Sequence, residues 1–294
     1  MLIGVASKND EALVRKALER PDLVVNPQHL FPVEAHWRPK IESIRRTLDT
    51  WNIAADSVVF VDDNPLELEQ VTAEFPQMEC LAFRMDDAQF LLDLRDRFAK
   101  RAIREEDVLR TASLRAGQAV RESAASDGAA LDRLLEGAHA KLILRWGKQP
   151  VDPRALELIN KTNQFNLNGQ RYTEADWNKF LSDPSARLMV AEYEDRFGKL
   201  GKIAVIAGRV QDDGFRVESW VMSCRAFSRR IEHQCLKLML QQWETITLCF
   251  ESTERNGPFR NFMSELGMQS SMVSRGEFER RCPPLFHETE SVSV

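Results

Sequence analysis

The stretch Ser57-Val-Val-Phe-Val-Asp-Asp-Asn-Pro65 limits the possible folds of this chain more than any other. A run of β-branched and aromatic residues suits a strand covered on both faces, and it stops at two carboxylates and an asparagine just before Pro65, a favoured first residue of a helix. Leu2 to Ala6 repeats the arrangement, ending in Ser7-Lys8-Asn9-Asp10 before a helix-patterned Glu11 to Glu19 that Ser7 or Asn9 can cap. Between the two lie Leu23 to Val25, a loop with Pro27 and Pro32, and Trp37-Arg-Pro-Lys40 leading into a helix over Ile41 to Trp51; Glu79 to Phe83 is a further short strand. Strand and helix alternating with short links predict an α/β layer with a parallel sheet.

In such sheets ligands sit beyond the carboxyl ends of the strands. Ser7, Asp62 and Asp63 fall at those ends and Lys40 opens a neighbouring helix, so the four are expected to converge. Adjacent carboxylates are hard ligands for Mg²⁺, while a serine hydroxyl and a lysine ammonium hold phosphate oxygens. The simpler alternative is that Asp62-Asp63-Asn64-Pro65 is only a polar helix cap.

With 294 residues, 43% of them hydrophobic and 29% charged, the chain can bury two ordinary cores. A net charge of −5 with basic and acidic residues interleaved argues against nucleic acid as a partner. The cysteines, Cys80, Cys224, Cys235, Cys249 and Cys282, are odd in number and widely spaced, which predicts reduced thiols in the cytoplasm. The apolar start is too short for a signal peptide, and no run suits a membrane span.

From Asp86 to about Gly137 the pattern is helical and charge-rich, as for a connector. The second half changes character, with strands over Lys141 to Trp146, Arg187 to Glu194, Lys202 to Val210 and Phe215 to Met222, a hairpin turn at Asp212-Asp213-Gly214, and helices from Pro153, Thr173, Arg229 and about Phe259. Cys224 stands at a strand end, beside Arg225 and before a helix, where a thiolate is stabilised and can attack an activated acyl group. Against this, a free cysteine usually packs as a small hydrophobe. His233 can act as base only if the helix start folds back toward Cys224, and otherwise is a helix-surface residue. Asn163 and Gln164 offer carboxamides for hydroxyl groups, or turn contacts to their own backbone.

Taken together these residues carry a resemblance. Ser7-Lys8-Asn9, Trp37 with Lys40, and Val59 to Glu67 resemble the second, third and fourth motifs of the FkbH-like branch of the haloacid dehalogenase superfamily. Asn160 to Leu167, Arg171-Tyr172-Thr173, Met222-Ser223-Cys224-Arg225 and Asn256 to Gly267 resemble that family's C-terminal acyltransferase-like domain. The resemblance implies a partial Rossmannoid haloacid-dehalogenase-like α/β domain at 1–98, a helical connector at 99–138, a GNAT-like α+β acyltransferase domain at 139–268 and an irregular tail at 269–294.

It further implies transfer of a glyceryl group from 1,3-bisphosphoglycerate, a small phosphorylated three-carbon donor, through Cys224 to the pantetheine thiol of an acyl carrier protein in polyketide assembly. Ser7, Lys8, Asn9 and Lys40 would hold phosphate, Arg225 would orient it or lower the thiol pKa, and Asp62 and Asp63 would bind Mg²⁺.

Two departures qualify these expectations. The family's first motif, an Asp-x-Asp strand, is missing from this chain, so phosphatase activity is expected to be impaired and Mg²⁺ weakly held or absent. The strands of Leu2 to Ala6 and Val58 to Val61 then close up on each other, keep an open edge, or belong to a chain that starts upstream of Met1, the last being favoured. The coenzyme A loop of acetyltransferases is Arg/Gln-x-x-Gly-x-Gly/Ala; Arg225-Ala-Phe-Ser228-Arg-Arg230 has neither glycine, so acetyl-CoA is not expected.

Overall fold

The computed structural model describes residues 1–84, 86–99, 111–112, 114–115, 117–118, 128–149, 151–211, 214–268 and 271–293. The chain divides into two units, Met1–Arg115 and Ala116–Val294. Most of the expected connector, and the Asp212-Asp213 part of the hairpin turn, lie outside the described residues.

The first unit runs β1 (Ile3–Ser7), α1 (Glu11–Leu18), β2 (Leu30–Ala35), α2 (Lys40–Trp51), β3 (Val59–Asp62), α3 (Pro65–Glu74), β4 (Glu79–Ala82) and α4 (Ala88–Phe98). β1 pairs with β2 and β3 with β4, both parallel, but as two separate two-stranded sheets. Among the described residues β1 and β3 share no ladder, so the two strands do not close up on each other. The expectation of strands covered on both faces is corrected accordingly: β1 is half-buried along its length and Val61 of β3 is 37% exposed. Ile44, Val71 and Met78 form one buried cluster of this unit, and Leu30, Trp51 and Leu114 are buried as well. β2 crosses the segment read as a loop. Its Pro32 sits where the β1–β2 register shifts, between Leu30 and Val33, and a strand tolerates a residue without an N–H at such an irregularity. The cap of α1 is Asp10, whose Oδ1 accepts from Ala12 N at 2.9 Å, and not Ser7 or Asn9.

The second unit contains α5 (Gly128–Glu136), β5 (Lys141–Trp146), α6 (Pro153–Lys161), β6 (Phe165–Asn166), α7 (Glu174–Ser182), β7 (Ala186–Asp195), β8 (Gly198–Gln211), β9 (Gly214–Met222), α8 (Ile231–Gln242), β10 (Thr245–Leu248), α9 (Gly257–Glu265), β11 (Met272–Ser274), α10 (Arg275–Glu279) and β12 (Glu288–Ser293). The strands form one mixed sheet in the order β11-β10-β9-β8-β7-β5-β12, with β6 alongside β9. β10 is parallel to β9 and β12 to β5, and the other pairings are antiparallel.

Alternation along β8 puts Val205 and Ala207 on one face against α6 and α7, while Ala204 and Ile206 face the larger core with α8 and α9. Helices therefore cover both faces of the sheet. The tail expected to be irregular instead supplies β11, α10 and β12. Gly201, expected in a connection, lies inside β8 at φ +67°, beside a register shift against β7. Among the described residues no helix is long and apolar enough to cross a membrane.

Candidate functional site

In the first unit the predicted phosphate and metal residues are largely committed to one another. Asp62 is buried at the end of β3; its Oδ2 accepts from Lys40 Nζ at 2.5 Å and its Oδ1 from Asn64 N at 3.0 Å. Asp63 is exposed, so the adjacent carboxylates diverge instead of acting as a pair. Lys8 Nζ donates to Glu67 Oε1 at 2.5 Å, and Glu67 is buried on α3 with Oε2 lacking a hydrogen-bond partner. Glu67 was not singled out as a site residue, although its place three residues after the Asn64 cap marks it as a first-turn acid that can point inward. Ser7 ends β1, its carbonyl accepting from His36 N at 3.0 Å, and exposed Asn9 accepts from Asp10 N at 2.8 Å.

A phosphate would thus have to compete with a carboxylate for each lysine. The donor set does not fit a resident Mg²⁺: both Asp62 oxygens are engaged, and among the described residues no group of three His, Cys, Asp or Glu could hold a metal ion.

The other candidates lie in the second unit, just before β6, just after β9 and on α8. β9 and β10 run side by side through Val217 and Leu248 and then part. The chain fills the opening itself: Leu167 N donates to Trp220 O of β9 at 2.9 Å, and Glu251 N donates to Leu167 O at 3.2 Å. Asn168 Nδ2 bridges the fork, donating to Glu218 O at 2.9 Å and Cys249 O at 3.1 Å. Fully buried Asn256 ties the same segment down through Asn166 O at 3.1 Å and Glu251 O at 2.8 Å.

β6 pairs Phe165 with Met222 and Asn166 with Val221, and the ladder ends there, with Asn163 and Gln164 just before β6 and Ser223 and Cys224 just after β9. Cys224 is half-buried in a single 3-10 turn, Cys224–Ala226. Asn163 Oδ1 accepts from Arg171 Nη2 at 2.6 Å, a longer-range partner than the turn contact considered for it.

Arg225 is buried, 6% exposed, its Nε 3.3 Å from Ser223 Oγ, so it is not the surface residue that arginine after a strand commonly is. Arg229 is 1% exposed; its Nη1 donates to Arg225 O at 2.9 Å and its Nε to Asp195 Oδ2 at 3.3 Å, which fastens the Cys224 turn to the end of β7. On either side of Arg229, Ser228 (φ +63°) and Arg230 (φ +57°) adopt left-handed backbone that glycine takes more easily. His233 is not on the helix surface. It is buried on α8, its ring edge-on to Phe262 at 5.0 Å and its Nδ1 3.3 Å from Glu232 Oε1. The five cysteines form no disulfide.

No family model matches this chain, and no curated protein matches it. It is similar to the N-terminal part of the protein BF1531 from Bacteroides fragilis, whose crystal structure contains a phosphatase domain complexed with Mg. The two are 33% identical over 32% of this chain and 26% of that one, with a TM-score of 0.30. This chain therefore spans about a quarter of that structure's length.

Proposed function

We propose that the second unit is a GNAT-like acyltransferase domain that passes a glyceryl group from 1,3-bisphosphoglycerate, through Cys224, to the pantetheine thiol of a cytoplasmic acyl carrier protein. The observation that carries this proposal is a half-buried thiol just past the end of β9, in the turn that Arg229 secures.

The Cys224 thiolate attacks the acyl carbon, the bond from that carbon to the C1 phosphate oxygen breaks and inorganic phosphate leaves, giving a 3-phosphoglyceryl thioester; attack of water on the remaining C3 phosphate ester, a phosphatase step separate from the transfer, releases a second inorganic phosphate and leaves the glyceryl group. The carrier thiol then attacks the thioester, forming its own carbon–sulfur bond and returning the Cys224 sulfur. Exchange between thioesters is close to isoenergetic, so no ATP is required. Support for the GNAT-like fold comes from Ser228 and Arg230. They occupy the two places where an acetyltransferase loop has Gly and Gly/Ala, and both have the positive φ that glycine serves. The run Arg225-Ala-Phe-Ser228-Arg-Arg230 has neither glycine of the pyrophosphate-binding loop, which favours a carrier-borne arm over acetyl-CoA.

Intact-mass measurement after incubation with 1,3-bisphosphoglycerate and a holo-carrier tests this. The parent protein gains one 3-phosphoglyceryl group, or one glyceryl group where the C3 phosphate has been hydrolysed, and loads the carrier, whereas Cys224→Ala does neither; equal loading by both removes the proposal. The Lys40–Asp62 and Lys8–Glu67 pairs favour one second reading, in which the first unit is silent as a phosphatase and the chain docks a carrier without transfer. In that case Cys224→Ala binds the carrier as well as the parent, and neither acquires mass.

A further inference from the structure

A cleft of about 410 Å³ opens between α8, α10 and the segment that follows α10. It lies among residues to which the acyl-transfer proposal gives no role. Leu285 and Pro283-Pro284 make an apolar wall, backed by Leu240 and Phe278, which are buried. The volume falls within the roughly 300–1,000 Å³ of small-molecule sites.

Three charges border the cleft. Arg275 is committed, its Nε donating to Leu240 O at 2.7 Å and its Nη2 3.6 Å from Glu244 Oε2. Glu279 lies on the exposed side of α10. Lys237 is exposed on α8 and enters no ion pair among the described residues. Half-buried Cys282 lines the cleft as well, its thiol pKa raised by burial and lowered in part by Lys237 and Arg230. An apolar wall beside an ammonium in no ion pair matches one ligand chemistry, an aliphatic chain ending in a single negative charge.

We propose that this cleft binds a small aliphatic monocarboxylate, its chain against Leu285 and Pro283-Pro284 and its carboxylate at Lys237. Cys282 lines the same cleft, so occupancy shields its sulfur. The test uses octanoate as the probe, and follows alkylation of Cys282 by iodoacetamide in the full chain by peptide mapping. Octanoate at ten times its dissociation constant slows Cys282 alkylation about ten-fold, as mass action requires, and leaves the rate at the half-buried thiols of Cys80 and Cys249 unchanged. Octanol, which has the same chain without the charge, protects far less. Lys237→Glu and Gln241→Trp change exposed lining residues, one reversing the charge and the other filling the space, and each abolishes the ratio of rates with and without octanoate. An unchanged rate in the parent, equal protection by octanol, or undiminished protection in Lys237→Glu overturns the proposal.

Discussion

Arg229 and Asp195 bury opposite charges against each other, with side chains 1% and 2% exposed. Removing either would strand the other in a medium where an unpaired charge costs about 3–5 kcal/mol. The Tyr193 hydroxyl donates to the same Asp195 Oδ2 at 3.0 Å, and burial, with Asp195 beside it, pushes that hydroxyl's pKa up so that it stays a donor. His287 packs edge-on to Tyr193 at 6.0 Å, and burial lowers its pKa from 6.5 to about 4, partly offset by Glu232. Its folded pKa lies below its unfolded one, so the neutral form favours folding. That contribution is complete above pH 6.5 and is lost as pH falls toward 4. Between pH 7 and 4.5 the parent should lose about 2 to 3 kcal/mol more stability than His287→Gln; parallel urea midpoints for the two proteins would remove this account. Cys224, Asn163 and Gln164 stood out in the sequence because strand ends and turn residues are local signals. The burial of Arg225 and the packing of His233 on Phe262 were not legible, because both depend on elements far along the chain.

The strands β5, β7 and β9 and the helices α6 and α7 follow their hydrophobic periods closely, since alternation between the two faces of one sheet leaves little choice of register. Thr173 caps α7 as its spacing predicts, Oγ1 accepting from Asp176 N at 3.1 Å. β12 was missed because Glu288-Thr-Glu-Ser-Val-Ser293 has no apolar face; it is an exposed edge strand, and its pairing is supplied by β5, nearly 150 residues earlier. β2 was hidden by Pro32. A bulge between Ala207 and Gly208 lets β8 stay in contact with β9, and a Cβ on Gly208 would lie 2.1 Å from Arg216 O. Backbone cannot yield as a side-chain tip does, so Gly208→Ala should cost at least about 1–3 kcal/mol. A urea midpoint equal to the parent's would show that the bulge is not the constraint described.

The two units differ in how much apolar surface they bury. Fully burying one large apolar side chain stabilises by about 1.5–3 kcal/mol. The first unit buries a cluster of Ile44, Val71 and Met78, with Leu30, Trp51 and Leu114, beside paired but separate strands, whereas both faces of the second unit's sheet are covered. Amides of β7, β8 and β9 should therefore exchange with solvent about 100-fold more slowly than those of β1 to β4; equal protection by hydrogen exchange would contradict this. The sequence by itself determined where most strands and helices begin, which residues face inward, and which polar residues stand at strand ends, because these follow from periodicity and capping within a few residues. Only the tertiary structure decided that Asp62 is held by Lys40, that the chain plugs its own fork between β9 and β10, and that the last strand joins β5. Each of those is a pairing between distant segments, and such pairings depend on how the whole sheet closes, which no local pattern of residues encodes.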